Sequence, residues 1–260
     1  MGYTAFHPTY SRQSMVFPVY LGVGAFKLHP HFVFEVVAYG VAMGLLRRNV
    51  SRDAIPLSQR SSVVIGGLIG ALVGAKILVL LQHGDLLWSD WRSWLLLGLQ
   101  GKTVVGALLG GLIGVELTKK WIGLTRSTGD AFVFPLLVGT ALGRVGCFLT
   151  GLSDRTYGTV TDLPWGIDFG DGLPRHPTQL YEVGFLMVLG LILARYRQRD
   201  LPNGRLFQLY LVGYLGFRFA VDFLKPDFQP LLGLSFIQLA CLLGIAYGLR
   251  QLLRREVTVS

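Results

Sequence analysis

The feature that most constrains this chain is a series of apolar blocks of about twenty residues, the length that an α-helix needs to cross a bilayer. Charged residues make up only 15% of the 260 residues, whereas a soluble domain usually carries about 25%. The sequence therefore predicts an all-α polytopic membrane protein that forms a single membrane domain over residues 1–260.

The apolar blocks predict seven transmembrane helices. Their predicted bounds are 32–47, 61–82, 94–117, 130–150, 178–195, 206–224 and 232–250. Glycines recur at three- and four-residue spacing in "VVIGGLIGALVGAK" and "VVGALLGGLIG", and such small residues let membrane helices pack closely. We expect packing to account for most of these glycines, and we expect no broken helix of the kind found in inverted-repeat transporters.

Most lysines and arginines lie in the loops after the first, third and fifth predicted helices and in the C-terminal tail. The positive-inside rule therefore places the C-terminus in the cytoplasm and the N-terminus outside. The same rule explains the net charge of +9 without nucleic acid as a partner. The first thirty residues lack the charged start, apolar stretch and small-residue site of a cleaved signal peptide, so we expect none.

One long polar segment, 151–177, lies on the outer side between the fourth and fifth predicted helices. In it Trp165, Ile167 and Phe169 alternate with Gly and Asp, as in a short strand or hairpin. Long loops of this kind are usually functional or disordered. We predict a small ordered outer cap, inserted within the membrane domain.

Four cations fall within the predicted spans: Lys76, Lys102, Arg144 and Arg218. A cation at the bilayer centre costs about 2.5–3.5 kcal/mol on insertion scales, so such residues face a cavity or a partner. One interpretation is that each arginine pairs with a carboxylate and holds the bundle together. The acidic candidates are Glu35, Glu116, Asp130, Glu182 and Asp222.

The other interpretation is that Arg144 and Arg218 line a cavity and bind an anionic lipid headgroup, because a guanidinium can bond two phosphate oxygens at once. Gly143 and Gly146 would let a headgroup approach the backbone. Arg218 and Asp222 are four residues apart and share a helix face. Asp130 opens the fourth helix at its cytoplasmic end, so we expect it to be structural.

Four motifs in one order resemble the signatures of the prolipoprotein diacylglyceryl transferase family: "GRVGCFLTG", "YGTVTDLPWGI", "RHPTQLYE" and "GYLGFRFAVDFLKPD". "LHPHFVFE" near the start and "LSFIQLACL" near the end also fit, so the resemblance covers residues from about 17 to about 250. It implies a multi-pass enzyme of the bacterial inner membrane with a periplasmic N-terminus and a periplasmic cap.

The resemblance also implies the reaction. Members of the family move the diacylglyceryl group of phosphatidylglycerol to the lipobox cysteine of a prolipoprotein as a thioether, and glycerol phosphate leaves. They use no metal and no organic cofactor. The expected partners are phosphatidylglycerol, other membrane phospholipids and a prolipoprotein signal peptide or another acceptor.

Carried over by motif position, Arg144 and Arg218 are the phosphate-binding arginines and catalytic candidates, and His29 and His31 belong to the polar motif of the first helix. The remaining candidates, all for substrate binding, are Gly143, Gly146, Cys147, Gly158, His176, Gln179, Tyr181, Glu182, Asp222 and Lys102. No metal site is predicted, because the two cysteines lie in apolar blocks and form no CxxC pair.

The chain departs from the family pattern at several positions. Val105 stands where the family has a histidine on the third helix, and that histidine is a candidate base. Cys147 stands at a signature asparagine. Leu152 replaces an acidic residue, and a longer loop before Tyr157 supplies Asp154. We therefore identify a divergent member of the family. The residues expected to bind lipid are retained more securely than the residues expected to act on the thiol acceptor.

Three alternatives stay open at the level of the sequence. The first is transfer to a lipobox cysteine, and the second is a transferase of the same fold with another acceptor or donor lipid. The third is a non-enzymatic lipid-binding or transport protein. His29, His31 or His176 could replace the missing base, and Cys147 is either a packing residue or a nucleophile in a covalent relay.

Overall fold

The computed structural model of this chain describes residues 16–23, 26–50, 56–84, 86, 88, 90–199, 201–226 and 233–257. Most of these residues are helical. The α-helices are α1 (Pro30–Val50), α2 (Leu57–Gln82), α3 (Trp91–Gln100), α4 (Val104–Trp121), α5 (Val133–Thr150), α6 (Thr178–Tyr196), α7 (Arg205–Asp222) and α8 (Phe236–Val257). Two short 3₁₀ segments, Gly129–Phe132 and Gly151–Asp154, flank α5. Residue 232, the predicted start of the seventh helix, lies outside the described residues.

Four helical segments are long and apolar enough to cross a membrane: Leu57–Gln82, Gly129–Asp154, Thr178–Tyr196 and Phe236–Arg254. A fifth results if α3 and α4 together count as one bent span. These segments confirm a helical, multi-pass membrane protein. Within the described ranges α1 and α7 are not among the segments that pass on length and composition alone. Charged residues explain this, since α1 ends in Arg47 and Arg48 and α7 contains Arg218 and Asp222.

The prediction of one continuous helix over 94–117 is wrong. The axes of α3 and α4 differ by 66° on either side of residues 101–103. Lys76 on α2 occupies this break, where its Nζ donates to the backbone oxygens of Leu99, at 2.6 Å, and Gly101, at 2.8 Å. The cation of Lys76 is therefore bound to backbone that the break leaves open.

The glycines of α2 and α4 form one antiparallel seam, which confirms the packing prediction. The facing residues are Gly66, Gly70 and Gly74 on α2 and Gly106, Gly110 and Gly114 on α4. A Cβ added at Gly110 would collide with the backbone oxygen of Gly70 and lie 2.8 Å from the Cα of Gly74. The two backbones therefore approach so closely that no side chain fits between them.

A second packing unit contains α5, α6, α7 and α8. Neighbouring helices in this unit contact one another, and α1 packs against the outer side of α5. Apolar side chains such as Leu137, Leu186, Leu211, Leu215 and Ile237 meet in its buried core. This core surrounds the polar cluster described below.

Asp130 joins the start of α5 to the start of α7. Its Oδ1 accepts from the backbone N–H of Phe207 at 2.8 Å, and its Oδ2 accepts from the N–H of Gly204 at 2.5 Å. Open N–H groups at a helix start are stabilised by a carboxylate. The structural role predicted for Asp130 is confirmed.

Two small hairpins lie at the end of the bundle opposite Asp130. The pair β1 (Leu21–Val23) and β2 (Phe26–Leu28) is antiparallel and was not predicted. The pair β3 (Ile167–Asp168) and β4 (Pro174–Arg175) is also antiparallel, which confirms the hairpin predicted in 151–177. Phe169 is buried and contacts the rings of Phe17 and Phe148, with centroids 5.2 and 5.8 Å away.

Candidate functional site

A buried polar cluster joins α5, α6 and α7 through the carboxylate of Glu182. Its Oε2 lies 2.9 Å from the Nε of Arg144 and accepts from the Nη1 of Arg218 at 3.2 Å. Its Oε1 accepts from the hydroxyl of Tyr214 at 2.7 Å. Arg218 also lies 3.5 Å from the Oδ1 of Asp222, as their four-residue spacing predicts. One glutamate therefore holds both motif arginines.

The cluster is almost completely withdrawn from solvent. The exposed fractions are 7% for Arg144, 3% for Arg218 and 1% for Glu182. Two guanidiniums face two carboxylates, so the charges balance, and buried charges require such compensation. The Nε of Arg218 is nevertheless buried without a hydrogen-bond partner among the described residues. The Nε of Arg144 also lacks a partner with hydrogen-bond geometry in the described part of the chain, although it lies 2.9 Å from Glu182. Pairing with carboxylates, the first of the two interpretations, thus holds for both arginines and leaves the Nε of Arg218 unused.

The far side of the cluster is held by the segment before α8. Ser235 donates its hydroxyl to the Oδ2 of Asp222, and its backbone N–H donates to Gln238 at 2.8 Å. Gln238 in turn donates to the backbone oxygen of Phe219 at 3.3 Å. Asp222 is therefore fixed from both sides, which orients Arg218.

The two glycines beside Arg144 have different environments. A Cβ added at Gly143 would meet nothing within 4 Å, so space is open there, as headgroup access requires. A Cβ at Gly146 would lie 2.7 Å from the Cβ of Phe34 on α1. The predicted headgroup clearance at Gly146 is therefore wrong, because this glycine serves the packing of α1 against α5.

A second polar cluster lies where α1 begins and α5 ends. His31 Nδ1 is 2.9 Å from the Oδ1 of Asp154, and the Sγ of Cys147 lies within 4.8 Å of both residues' nearest polar atoms. His31 and Asp154 border an open cleft of about 430 Å³, and the buried Cys147 lies behind them. The cleft is lined by His29, His31, Phe32, Glu35, Thr150, Ser153 and Asp154.

Cys147 lies between the two clusters. Its Sγ is 3.9 Å from the Nη1 of Arg144 on one side and close to His31 and Asp154 on the other. Cys147 thus lies between the arginines and the cleft residues His31 and Asp154. Its position in the middle of a polar row argues against a role in apolar packing alone.

Lys102 lies in the break between α3 and α4, not within a helix, and it does not reach the arginines. Its Nζ is 2.5 Å from the Oε1 of Glu35 on α1, which also accepts from the hydroxyl of Tyr39 at 3.1 Å. The other carboxylate oxygen of Glu35 is 3.5 Å from the Nε2 of His31. Lys102 therefore acts on the cleft indirectly, through Glu35.

The cap residues predicted for substrate binding form a network of their own. The hydroxyl of Tyr181 lies 3.1 Å from the Nδ1 of His176 and accepts from the Nε1 of Trp165 at 2.8 Å. Gly158 packs against His176, whose Cβ would lie 2.6 Å from an added Cβ, and its N–H donates to the backbone oxygen of His176. This network fixes the cap on the start of α6.

Gln179 connects the cap to the cleft. Its Nε2 donates to the Oγ1 of Thr156 at 3.1 Å, and this hydroxyl donates to the Oδ2 of Asp154 at 2.7 Å. The Oε1 of Gln179 is buried and has no hydrogen-bond partner in the described part of the chain. The predicted residue Gln179 is thus one step from the cleft cluster.

At the surface of the cap, Arg175 donates through Nε and Nη2 to the Oδ2 of Asp171, at 2.8 and 2.7 Å. This guanidinium holds the pKa of Asp171 below its ordinary value. Arg175 also lies over the ring of Tyr157, 5.0 Å from its centroid. The ion pair orders the hairpin of the cap.

The sequence analysis brought Arg144, Arg218, Glu182 and Asp222 together correctly as candidates, but it missed Tyr214. The signal was present, because Tyr214 precedes Arg218 by four residues and shares its helix face. Glu35 and Asp154 were noted without a site role. The pairs Lys102–Glu35 and His31–Asp154 join residues that are distant in the sequence, so no local pattern could assign these two contacts.

A family model and individual relatives of this chain indicate the same family. The family model described as prolipoprotein diacylglyceryl transferase matches residues 18–254. A relative from Geobacter sulfurreducens, named phosphatidylglycerol–prolipoprotein diacylglyceryl transferase, is 32% identical over 235 residues, which cover 82% of this chain and 84% of the relative. A relative of the same name from Methylococcus capsulatus is 32% identical over 256 residues, covering 89% and 92%.

Proposed function

Because this chain belongs to the prolipoprotein diacylglyceryl transferase family, we propose that it transfers the diacylglyceryl group of phosphatidylglycerol to an acceptor thiol, the lipobox cysteine of a prolipoprotein. Glycerol phosphate is the second product. Phosphatidylglycerol and a prolipoprotein are the substrates named for its relatives.

The observation that carries this proposal is the pair of buried arginines on one carboxylate. A guanidinium has five N–H donors, and the contacts of Arg218 with Glu182 and Asp222 leave its buried Nε unused. A lipid phosphate would use such donors, and the open space at Gly143 lies beside Arg144. Glu182 holds the two guanidiniums in one orientation before the lipid arrives, which lowers the cost of organising the site.

The chemistry requires charge stabilisation on the leaving phosphate. A thiolate sulfur attacks the glycerol carbon, the bond from that carbon to the phosphate oxygen breaks, and the electron pair leaves with glycerol phosphate. Arg144 and Arg218 stabilise the negative charge that develops on this oxygen. Tyr214 and Asp222 act as positioning residues, because they contact Glu182 and Arg218.

We assign the acceptor to the cleft, with His29 and His31 in its wall. Val105 on α4, which stands where the family has its histidine, is buried and has no group that can accept a proton. Cys147 lies between the arginines and the cleft. The donor lipid at the arginines and the acceptor in the cleft therefore approach each other from opposite sides of Cys147. The network of His176, Tyr181 and Gly158 closes the cap over the start of α6.

We further propose seven spans, with α1, α7 and the bent pair α3–α4 included, in the inner membrane of a bacterium. Two hydrogen bonds support one common cytoplasmic face: Asn49 donates to the backbone oxygen of Ala131 at 3.0 Å, and Arg197 donates to Asn49 at 3.5 Å. This face carries the basic ends of α1, α4 and α6. The cleft, the cap and the N-terminus are then periplasmic, and the C-terminus is cytoplasmic.

The test is a transfer assay with purified protein, phosphatidylglycerol vesicles and a lipobox peptide. We expect the peptide cysteine to gain the mass of one diacylglyceryl unit, with one glycerol phosphate released per modified peptide. A peptide with serine in place of the cysteine is the control. Vesicles that contain only phosphatidylethanolamine test the donor.

A second candidate is transfer to another acceptor, which the replaced positions Val105 and Cys147 favour. In that case the lipobox peptide stays unmodified, while glycerol phosphate is released when cell extract supplies the acceptor. If no donor lipid is consumed under either condition, the protein binds lipid without chemistry, and both transferase proposals fail.

A further inference from the structure

The cleft cluster contains three side chains of metal-ligating types. His31, Cys147 and Asp154 each contribute one ligand atom, and these atoms all lie within 4.8 Å of one another. A tetrahedral Zn²⁺ ion binds nitrogen at about 2.0 Å and sulfur at about 2.3 Å, so its ligands are about 3.3–3.8 Å apart. Small side-chain movements therefore bring the three atoms onto one ion.

The Nδ1 of His31 is a buried atom without a hydrogen-bond partner among the described residues. The Oδ1 of Asp154 is only 2.9 Å away, but the pair does not have hydrogen-bond geometry. Buried polar atoms are rarely left unsatisfied, and a bound ion is one recognised reason when they are. The Nδ1 of His31 already forms a close ion pair with the Oδ1 of Asp154, and an ion that binds both atoms would lie between them.

The groups behind the three ligand atoms also fit a metal site. The Nε2 of His31 lies 3.5 Å from Glu35, and a histidine that binds a metal usually donates its other ring nitrogen to a carboxylate. Thr156 holds the second oxygen of Asp154, and Lys102 holds Glu35. Each candidate carboxylate is thus oriented by a partner that is not a ligand.

We propose that His31 Nδ1, Cys147 Sγ and Asp154 Oδ1 bind a divalent transition-metal ion, with Zn²⁺ as the best match to this mixed nitrogen, sulfur and oxygen set. One thiolate and one carboxylate balance the charge of the ion. Arg144, 3.9 Å from Cys147, stabilises the thiolate. Three protein ligands leave a fourth position that opens into the cleft, as in catalytic zinc sites.

This inference rests on the proposed function for its chemical role. If the acceptor thiol takes the fourth position, the ion would help to remove its proton, because a thiol that coordinates Zn²⁺ is deprotonated. The proton would pass to water in the cleft, and the sulfur would attack the glycerol carbon as glycerol phosphate leaves. The ion would thereby take the role of the histidine that is absent at Val105. It also explains why Cys147 and Asp154, two departures from the family pattern, lie side by side.

The test measures metal binding directly on the full-length protein in detergent. After treatment with chelator, the protein is titrated with Co²⁺, and Zn²⁺ content is measured by elemental mass spectrometry. We expect one ion per chain and a thiolate-to-cobalt absorption band. Cys147→Ser abolishes the band and weakens Zn²⁺ binding by at least about 100-fold, whereas Cys241→Ser, the matched control at the other buried cysteine, changes neither.

Further variants keep the result interpretable. Cys147→Asn restores the residue type of the family motif, so loss of the cobalt band with an unchanged melting temperature assigns the loss to the ligand. Glu35→Gln weakens Zn²⁺ binding by about 10–100-fold, the usual effect of a group behind a ligand. Wild-type protein that binds no ion, or Cys147→Ser protein that binds one equally well, overturns the proposal.

Activity distinguishes this inference from the proposed function. Full diacylglyceryl transfer in excess chelator overturns the catalytic role of the metal and leaves the transferase proposal intact. A Cys147-dependent cobalt band in a protein that transfers lipid to no acceptor supports the metal site and overturns the transferase proposal.

Discussion

The α2–α4 seam and the cluster of Arg144, Glu182 and Arg218 hold helices together in opposite ways. The seam consists of glycines whose backbones touch, and no side chain lies between them. The cluster uses long charged side chains that need compensation because they are buried. The seam can only pack, whereas a cluster with an unused donor on Arg218 can both pack and bind an anion. We therefore expect the reaction at the charged cluster and not at the glycine seam.

The largest effect is expected from Glu182→Gln, which leaves two buried guanidiniums facing a neutral amide. Removal of one partner from a buried ion pair costs about 3–5 kcal/mol, so the melting temperature in detergent should fall steeply. Asp171→Asn is the control, because its carboxylate pairs with Arg175 at 2.7 Å at the surface. Equal melting temperatures for the two variants would show that the cluster does not hold the helices.

Arg144→Lys and Arg218→Lys sharpen the comparison by keeping charge and removing the planar fork. We expect the kcat/KM for glycerol phosphate release to fall by about 100-fold, which corresponds to about 2.7 kcal/mol of lost transition-state stabilisation. Arg92→Lys, at an exposed arginine, should retain full activity. Rates near those of the wild type for both cluster variants would contradict the phosphate-binding role.

In the seam, Gly110→Ala places a methyl group against the backbone of α2. Overpacking of this kind costs about 1–3 kcal/mol, and the loss should appear as a lower melting temperature without a selective loss of kcat. Gly44→Ala on α1 is the matched control, because nothing lies within 4 Å of an added Cβ there. The Gly44→Ala variant should be as stable as the wild type or more stable by up to about 1 kcal/mol. A selective loss of kcat in Gly110→Ala would mean that the seam takes part in the reaction.

The smallest effect is expected in the cap, at Asp171→Asn. Arg175 lowers the pKa of Asp171 in the folded protein, so the pair stabilises the fold above the unfolded pKa of about 3.9. That stabilisation disappears as the pH falls through the lower folded pKa. At a surface site it amounts to at most about 1 kcal/mol. The melting temperature should therefore decrease slightly at pH 7, and the difference should vanish in strong acid.

The sequence predicted the helical class, the α2–α4 packing and most members of the arginine cluster, because these depend on local composition and motifs. It did not predict that one carboxylate holds both arginines, since Arg144, Glu182 and Arg218 are on three different helices. The break at residues 101–103 was also missed, although Gln100, Gly101, Lys102 and Thr103 interrupt the apolar stretch there. Lys102 and Glu35 are 67 residues apart, and only the fold joins them.

Lys76 shows how a cation can reduce the free-energy cost of an irregular backbone within a membrane. A hydropathy scale assigns lysine a penalty for insertion and assigns the neighbouring carbonyls none. Here the ammonium group satisfies two carbonyl oxygens at the break between α3 and α4, which would otherwise face hydrocarbon unsatisfied. The two penalties offset each other, so neither the lysine nor the bend can be assessed for membrane insertion without the other.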